Sequence, residues 1–248
     1  MSRKAREKST SGIYHVMLRG INHQQIFEEA EDYDKFLSIV KECKAVSKFE
    51  LYAYCLMGNH IHLLLKESDE PLEIIMKRLV VRFVYWYNIK YQRVGHLFQD
   101  RFKSEPVEDW GYFSTALVYI HQNPVKARIC KRVEDYAYSS YGCYAYEDGV
   151  IDVSYALKHW SYEEFVRKNH REIAAKCMDI EAVPRRGYTD EQAKVLIKKI
   201  AECESASDFQ RLEIKKRDRF VEKLKEKGLS IRQISRLTGV SFNIVRKL

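Results

Sequence analysis

Apolar and polar positions alternate over Ile13–Arg19, as a half-buried strand requires. Residues 31–48 then change period. Tyr33, Phe36, Leu37, Val40 and Cys43 fall at helical spacing, with acids early and lysines late, as the helix dipole favours. Residues 49–57 and His60–Lys66 read as two further strands joined by a Gly58-Asn59 turn. Pro71 suits a helix start, and Leu72, Ile75, Met76, Leu79 and Phe83 place one apolar face on a helix running to about Tyr91. Residues 97–107 read as a fourth strand, and 109–122 as the helix that follows it. The order β-α-β-β-α-β predicts an α+β fold, the split βαβ antiparallel sheet of the ferredoxin-like class.

Beyond Pro124 the pattern is less regular. A run of tyrosines (Tyr136, Tyr138, Tyr141, Tyr144 and Tyr146) reads as packing that closes the core, with base stacking the less favoured alternative. Residues 155–180 look helical, and 183–187 look like a linker. Three capping-box patterns follow, Thr189-x-x-Gln192, Ser207-x-x-Gln210 and Ser230-x-x-Gln233, each ahead of an apolar-periodic run. The expected division is 11–150 for the sheet domain, 151–186 for a helical extension and linker, and 187–248 for an all-α domain. In the last of these, Ile234, Leu237, Val240, Ile244 and Val245 have the spacing of a helix-turn-helix core, with Gly239 at the turn. On this reading Ser241, Phe242, Asn243 and Arg246 face a DNA major groove, and Arg232 and Arg236 lie near phosphates. A helical bundle that only packs or dimerises is the alternative.

Charge adds to this picture. The 248 residues carry a net charge of +8. Residues 189–248 hold 15 Lys and Arg against 9 Asp and Glu, so most of the excess lies in the last quarter. A basic face attracts polyanions and makes their binding salt-dependent. No apolar run approaches a membrane span, and the N-terminal residues carry Arg3, Lys4, Arg6 and Lys8 rather than an apolar signal region. The six cysteines are scattered without a C-x-x-C pair, which argues against a structural zinc site. Reduced thiols and a cytoplasmic, nucleoid-associated location are expected.

The candidate chemistry centres on His60-Ile61-His62. Side chains alternate across a strand, so both imidazoles share one face and are poised to share one ion. Tyr119, Gln122 and Asn123 share a helix face, with Asn123 at or just past the helix end because Pro124 disfavours helical geometry before it. A tyrosine hydroxyl beside an amide and two histidines is a constellation for attack on a phosphodiester.

Four segments in order carry a resemblance: Tyr14-His15 with Arg19-Gly20, residues 57–64, residues 98–104 and residues 119–125. Together they resemble the single-tyrosine transposases of the HUH (His-hydrophobic-His) superfamily. Tyr138-Ser139-Ser140-Tyr141 points more narrowly to the REP-associated tyrosine transposases. The resemblance covers about residues 11–145. It implies an HUH endonuclease fold acting on single-stranded DNA next to a hairpin, with Tyr119 as the nucleophile that forms a 5′-phosphotyrosine. His60, His62 and Asn123 become the metal ligands, and Mg²⁺ or Mn²⁺ the ion. Arg78, Arg82, Arg101 and Lys103 are candidates for phosphate contacts, and Phe98 or Tyr112 for base stacking. His15 and His23 are candidates for the general base. The expected partners are single-stranded and hairpin DNA, with duplex DNA at the helix-turn-helix. Either a monomer or a homodimer is compatible. Two other readings stay open: a non-catalytic, sequence-specific DNA-binding regulator derived from a transposase, and a phosphohydrolase that uses water.

Overall fold

A computed structural model describes residues 6–21, 24–146, 149–171, 177, 188, 190–203 and 206–248. The chain divides into two compact units, 1–178 and 179–248.

The first unit is built on four strands: β1 (Ile13–Arg19), β2 (Glu50–Met57), β3 (His60–Lys66) and β4 (Lys103–Pro106). They form one antiparallel sheet in the order β2-β3-β1-β4. Helix α1 (Ala30–Ser47) joins β1 to β2, and α2 (Leu72–Lys90) joins β3 to β4. This is the predicted split βαβ arrangement. Phe27 and Phe36 pack on Phe83 at ring separations of 5.5 and 5.2 Å, which ties α1 to α2. Lys90, at the end of α2, pairs with Glu29, Glu31 and the buried Asp32 at the start of α1.

The fourth strand is shorter than the sequence suggests. Phe98 makes an isolated bridge to Gly20 and Gln99 N–H donates to the Arg19 carbonyl at 2.9 Å, but the exposed Asp100 and Arg101 interrupt the ladder before pairing resumes at Lys103. Gly20 is required where it stands, since a Cβ there would lie 2.4 Å from the Gln24 carbonyl oxygen. The segment after Gly20 in turn clamps the β2–β3 turn: Ile26 N–H donates to the Gly58 carbonyl (2.8 Å), and Gly20 N–H to that of Asn59 (2.9 Å).

Helix α3 (Trp110–Lys126) starts at Asp109, whose carboxylate accepts the Tyr112 N–H at 2.8 Å. It runs past Pro124, one turn further than the sequence reading, so Asn123 is inside the helix. A proline this close to a C-terminus removes a single bond, from its own nitrogen, and leaves the next turn intact. Ala127 N–H still reaches the Asn123 carbonyl, and Ile129 N–H that of Pro124, both at 2.9 Å.

The tyrosine-rich stretch packs, as expected. Leu56 N–H donates to the Tyr138 carbonyl and Ser140 N–H to that of Tyr54, so this segment covers the outer edge of β2. Tyr138 stacks on Tyr33 at 3.6 Å, and Tyr136 Oη donates to the Leu56 carbonyl. Tyr146 alone of the five is exposed. The region expected to be helical from 155 to 180 holds α4 (Ser154–Leu157) and α5 (Tyr162–His170), and beyond them only Arg171 and Cys177 are described. Residues 183–187 lie outside the described residues.

The second unit contains α6 (Asp190–Ala201), α7 (Ala206–Arg211), α8 (Ile214–Glu226), α9 (Ile231–Thr238) and α10 (Phe242–Lys247) around a core that includes Ala193, Phe209, Val221, Ile234 and Val245. Gly239 ends α9 in the left-handed region at φ +71°, and Ser241 caps α10 by accepting the Ile244 N–H at 3.4 Å. Ile234, Val240 and Val245 are buried and Leu237 packs beside them, but Ile244 is 38% exposed. Adjacent helical residues point about 100° apart, so Ile244 and Val245 cannot both face inward. The buried Thr238 instead joins the core, its hydroxyl donating to the Ile234 carbonyl at 2.6 Å.

The capping patterns fare unequally. Ser230 accepts the Gln233 N–H at 3.2 Å, yet the Gln233 amide donates to the Tyr188 carbonyl and Asp190 rather than closing a box. Ser207 falls inside α7, which begins at Ala206, and Thr189 lies outside the described residues.

Candidate active site

Sheet register builds one chemical face. Residues opposite each other on neighbouring strands share a face. His60 pairs with Arg19 on β1, and His62 with Met17, which in turn pairs with Lys103 on β4. His15 lies opposite Leu64 on one side and Glu105 on the other. His15, Arg19, His60, His62, Lys103 and Glu105 therefore project to the same side of the sheet.

Helix α3 lies over this face. The Tyr119 ring packs edge-on at 6.0 Å from that of His62 and 6.1 Å from that of His15. The His60 and His62 rings are 5.2 Å apart and nearly perpendicular. Tyr119 is 3% exposed, and His15 and His62 are fully buried. The Tyr112 hydroxyl donates to Glu105, which fastens the start of α3 to β4.

Hydrogen bonds orient the imidazoles. His15 Nε2 and His62 Nδ1 lie 2.9 Å apart, and His62 Nε2 is buried with no hydrogen-bond partner among the described residues. His60 Nδ1 is 2.7 Å from Asn59 Oδ1, an acceptor, so His60 donates from Nδ1, and its neutral form carries its lone pair on Nε2. Burial holds His62 well below the usual histidine range, with His15 and His60 adding to the effect, and it brings His15 down to about 4. Both buried rings are neutral at pH 7, the form that can donate a lone pair.

The helix residues sort themselves by partner. Gln122 donates its amide to the Asn169 and Arg171 carbonyls at 2.9 and 2.7 Å, away from the histidines. Asn123 Nδ2 donates to the Tyr119 carbonyl at 3.0 Å. Lys126, which sequence reasoning missed, holds its ammonium 4.3 Å from the Tyr119 ring centre. The signal was present: Tyr119, Asn123 and Lys126 are at i, i+4 and i+7, one continuous helix stripe. His121 points away and bridges Ser140 Oγ (2.8 Å) and Asn169 Oδ1 (3.0 Å).

Several predicted contact residues are placed elsewhere. Arg78 is clamped between Glu70 and Ser47, and Arg82 pairs with Glu42 at 3.1 Å. Both lie on the α1–α2 pair with carboxylate partners, and neither is brought to the histidine face. Phe98 is a core ring, 7% exposed, so it offers no stacking surface. Lys103 and Arg101 are exposed, Lys103 on the histidine face. In the second unit Ser241, Phe242, Asn243, Arg246 and Arg232 are exposed, whereas Arg236 pairs with Asp190 at 2.6 Å. His23 lies outside the described residues.

The first unit thus carries a split βαβ sheet with a tyrosine helix laid over paired strand histidines, and comparisons with known proteins relate it to transposases. Residues 8–123 match the model of the family described as "Transposase IS200 like". The chain is also similar to a curated protein of Haemophilus influenzae, "Putative REP-associated tyrosine transposase". The two are 28% identical over 153 residues, which span 57% of this chain and 86% of the relative. A solved structure of a REP-associated tyrosine transposase bound to a REP hairpin superposes with a TM-score of 0.53 at 17% identity, over 73% of this chain and 99% of that one. That likeness concerns the fold. Among the described residues, no helix is long and apolar enough to cross a membrane.

Proposed function

We propose that the first unit cleaves and rejoins single-stranded DNA by transesterification, with Tyr119 as the nucleophile. The observation that carries this reading is the Tyr119 ring packed against His62, whose Nε2 is buried and unpartnered among the described residues. A polar atom left in that state costs free energy unless something binds it.

The donor set fits a divalent cation. His60 and His62 are neutral nitrogen donors on one strand, and Asn123 lies one turn beyond Tyr119. The resemblance to the single-tyrosine transposases makes the Asn123 amide the third protein donor in this reading. When bound, Mg²⁺ or Mn²⁺ would polarise the scissile phosphate and stabilise its developing charge.

The residues divide the remaining work. The Tyr119 oxygen attacks phosphorus and loses its proton, and the bond from phosphorus to the 3′ oxygen breaks. That oxygen takes up a proton and leaves as a 3′-hydroxyl, while the 5′-phosphate stays on the tyrosine. Attack by another 3′-hydroxyl reverses the step and rejoins the strand, so no external energy source is needed. Lys126 stabilises negative charge on the phenolic oxygen through its position over the ring. Arg19 and Lys103, in register with the histidine pair, hold flanking phosphates. The REP hairpin bound by the structural relative supports a hairpin-adjacent substrate here. The second unit presents Ser241, Phe242, Asn243 and Arg246 on its surface and anchors neighbouring duplex DNA.

Incubating the full chain with labelled single-stranded hairpin DNA and Mg²⁺ tests the reading. A labelled adduct that survives denaturation, and that Tyr119→Phe abolishes, is the expected result. Nicked product without an adduct would replace the tyrosine by water, and binding without cleavage would leave a regulator.

A further inference from the structure

His15 takes no part in the chemistry proposed above, yet it is fully buried and lies within hydrogen-bond distance of His62. Two neutral arrangements satisfy the 2.9 Å approach of His15 Nε2 to His62 Nδ1. In one, His15 donates from Nε2, and His62 must then carry its own proton on Nε2. In the other, His62 donates from Nδ1, and its Nε2 keeps the lone pair. A neutral imidazole has one N–H and one lone pair, so fixing the first nitrogen fixes the second. Only the second arrangement makes His62 Nε2 an electron-pair donor.

We infer that His15 is a positioning residue, which accepts the Nδ1 proton of His62 and so keeps the His62 Nε2 lone pair on the site side. His15 then carries its own proton on Nδ1, which, like His62 Nε2, is buried with no hydrogen-bond partner among the described residues; three further observations support the role. His15 sits on β1, the central strand, where ladders to β3 and β4 fix its backbone on both sides. Its ring meets that of His62 at 5.2 Å and the Tyr119 ring at 6.1 Å, so packing fixes the imidazole plane as well. His60 has an equivalent arrangement, with Asn59 Oδ1 accepting from its Nδ1. Each histidine of the pair thus has its own acceptor on Nδ1, and both lone pairs are assigned to Nε2. Partners of this kind fix the tautomer and ring orientation of metal-binding histidines, and their loss typically lowers metal affinity about 10- to 100-fold.

The inference rests on the proposed metal site, but its primary test does not use activity. Long-range ¹H–¹⁵N correlation spectra of the metal-free full chain report which ring nitrogen of His62 is protonated. The expected pattern is a protonated Nδ1 and a pyridine-like Nε2. In His15→Phe, the Nδ1 proton loses its acceptor and the pattern shifts toward a protonated Nε2. Titration with Mn²⁺, read by electron paramagnetic resonance, should weaken at least about tenfold in His15→Phe. His15→Gln, whose amide oxygen can accept the same proton, should recover part of that loss, which a purely space-filling role would not permit. A His62 carrying its proton on Nε2 in the unaltered protein would overturn the inference, even if DNA cleavage is observed. The expected tautomer with no DNA adduct would leave the positioning role standing and remove the transposase chemistry.

Discussion

His121 offers a quantitative test of how the tyrosine helix is held. It lies on α3 two residues after Tyr119, fully buried, between Ser140 and Asn169. Asn169 Nδ2 already donates to the Phe165 carbonyl, so its Oδ1 accepts from His121 Nδ1, and His121 Nε2 accepts from the Ser140 hydroxyl. This neutral ring joins α3 to α5 and to the segment that covers β2. Burial lowers its pKa from 6.5 to about 4, a shift that the Asn169 bond partly opposes. The native state therefore binds this proton less readily than the unfolded chain. The associated stability is complete above pH 6.5 and is lost as pH falls from 6.5 towards 4. Linkage gives a loss of about 2 kcal/mol between pH 7.5 and pH 5 from this group.

His121→Gln keeps an amide for hydrogen bonding and cannot titrate in this range. Comparing the two proteins cancels the contribution of His15, which has the same sign. Urea unfolding followed by tryptophan fluorescence reports on the first unit alone, because Trp86, Trp110 and Trp160 all lie there. His121→Gln should be less stable at pH 7.5 by about 1–3 kcal/mol, as for other buried hydrogen-bond losses. The gap should then close by about 2 kcal/mol at pH 5. Parallel stability profiles for the two proteins from pH 7.5 to 5 would refute the buried, neutral assignment.

Other consequences follow from the same geometry. Lys126→Ala should slow adduct formation about fivefold while leaving affinity for the DNA within about twofold, a single favourable charge contact being worth about 1 kcal/mol; rapid-quench kinetics and a filter-binding titration separate the two. Gly20→Ala forces a methyl group against the Gln24 carbonyl and should cost about 1–3 kcal/mol in urea unfolding. Arg78→Ala should lower stability through loss of the Glu70 and Ser47 contacts and leave the rate of single-strand cleavage unchanged, whereas Lys103→Ala should weaken binding and reduce its salt dependence. Removing residues 179–248 should weaken binding to hairpins with long duplex stems yet leave nicking of a short single strand, as a tethered second site implies.

The sheet was legible because its strands are short, strongly apolar runs bounded by turn residues such as Gly58-Asn59, although β1, β2 and β3 are buried on both faces rather than on one. The boundaries that failed did so for identifiable reasons. The fourth strand breaks at Asp100 and Arg101, which are exposed and have no apolar side to hold them against β1, whereas Gln99 just before them is still bonded to Arg19. Helix α3 was ended too early because Pro124 was weighed as a helix breaker, although near a terminus it costs little. Spacing alone puts His60 and His62 on one strand face and Tyr119, Gln122 and Asn123 on one helix face, but the approach of the two faces depends on α3 crossing the sheet, which no local pattern encodes. His15 and Lys126 were in the sequence at readable offsets. Their roles became visible only when register brought β1 beside β3 and packing brought α3 above both. Arg78 and Arg82 read as phosphate contacts because charge in a sequence does not disclose its partner; in the structure both pair with carboxylates, Glu70 just before α2 and Glu42 on α1.

The most direct measurement is the location of the covalent bond. Adduct formed on hairpin DNA with Mg²⁺ can be digested with nuclease and trypsin and sequenced by tandem mass spectrometry. Cleavage after Lys103 and Lys126 releases the peptide covering 104–126, which contains two tyrosines, Tyr112 and Tyr119. A nucleotide phosphate on Tyr119 is the predicted result. Its attachment to Tyr112 or to any other residue, or full cleavage by Tyr119→Phe, would contradict the account.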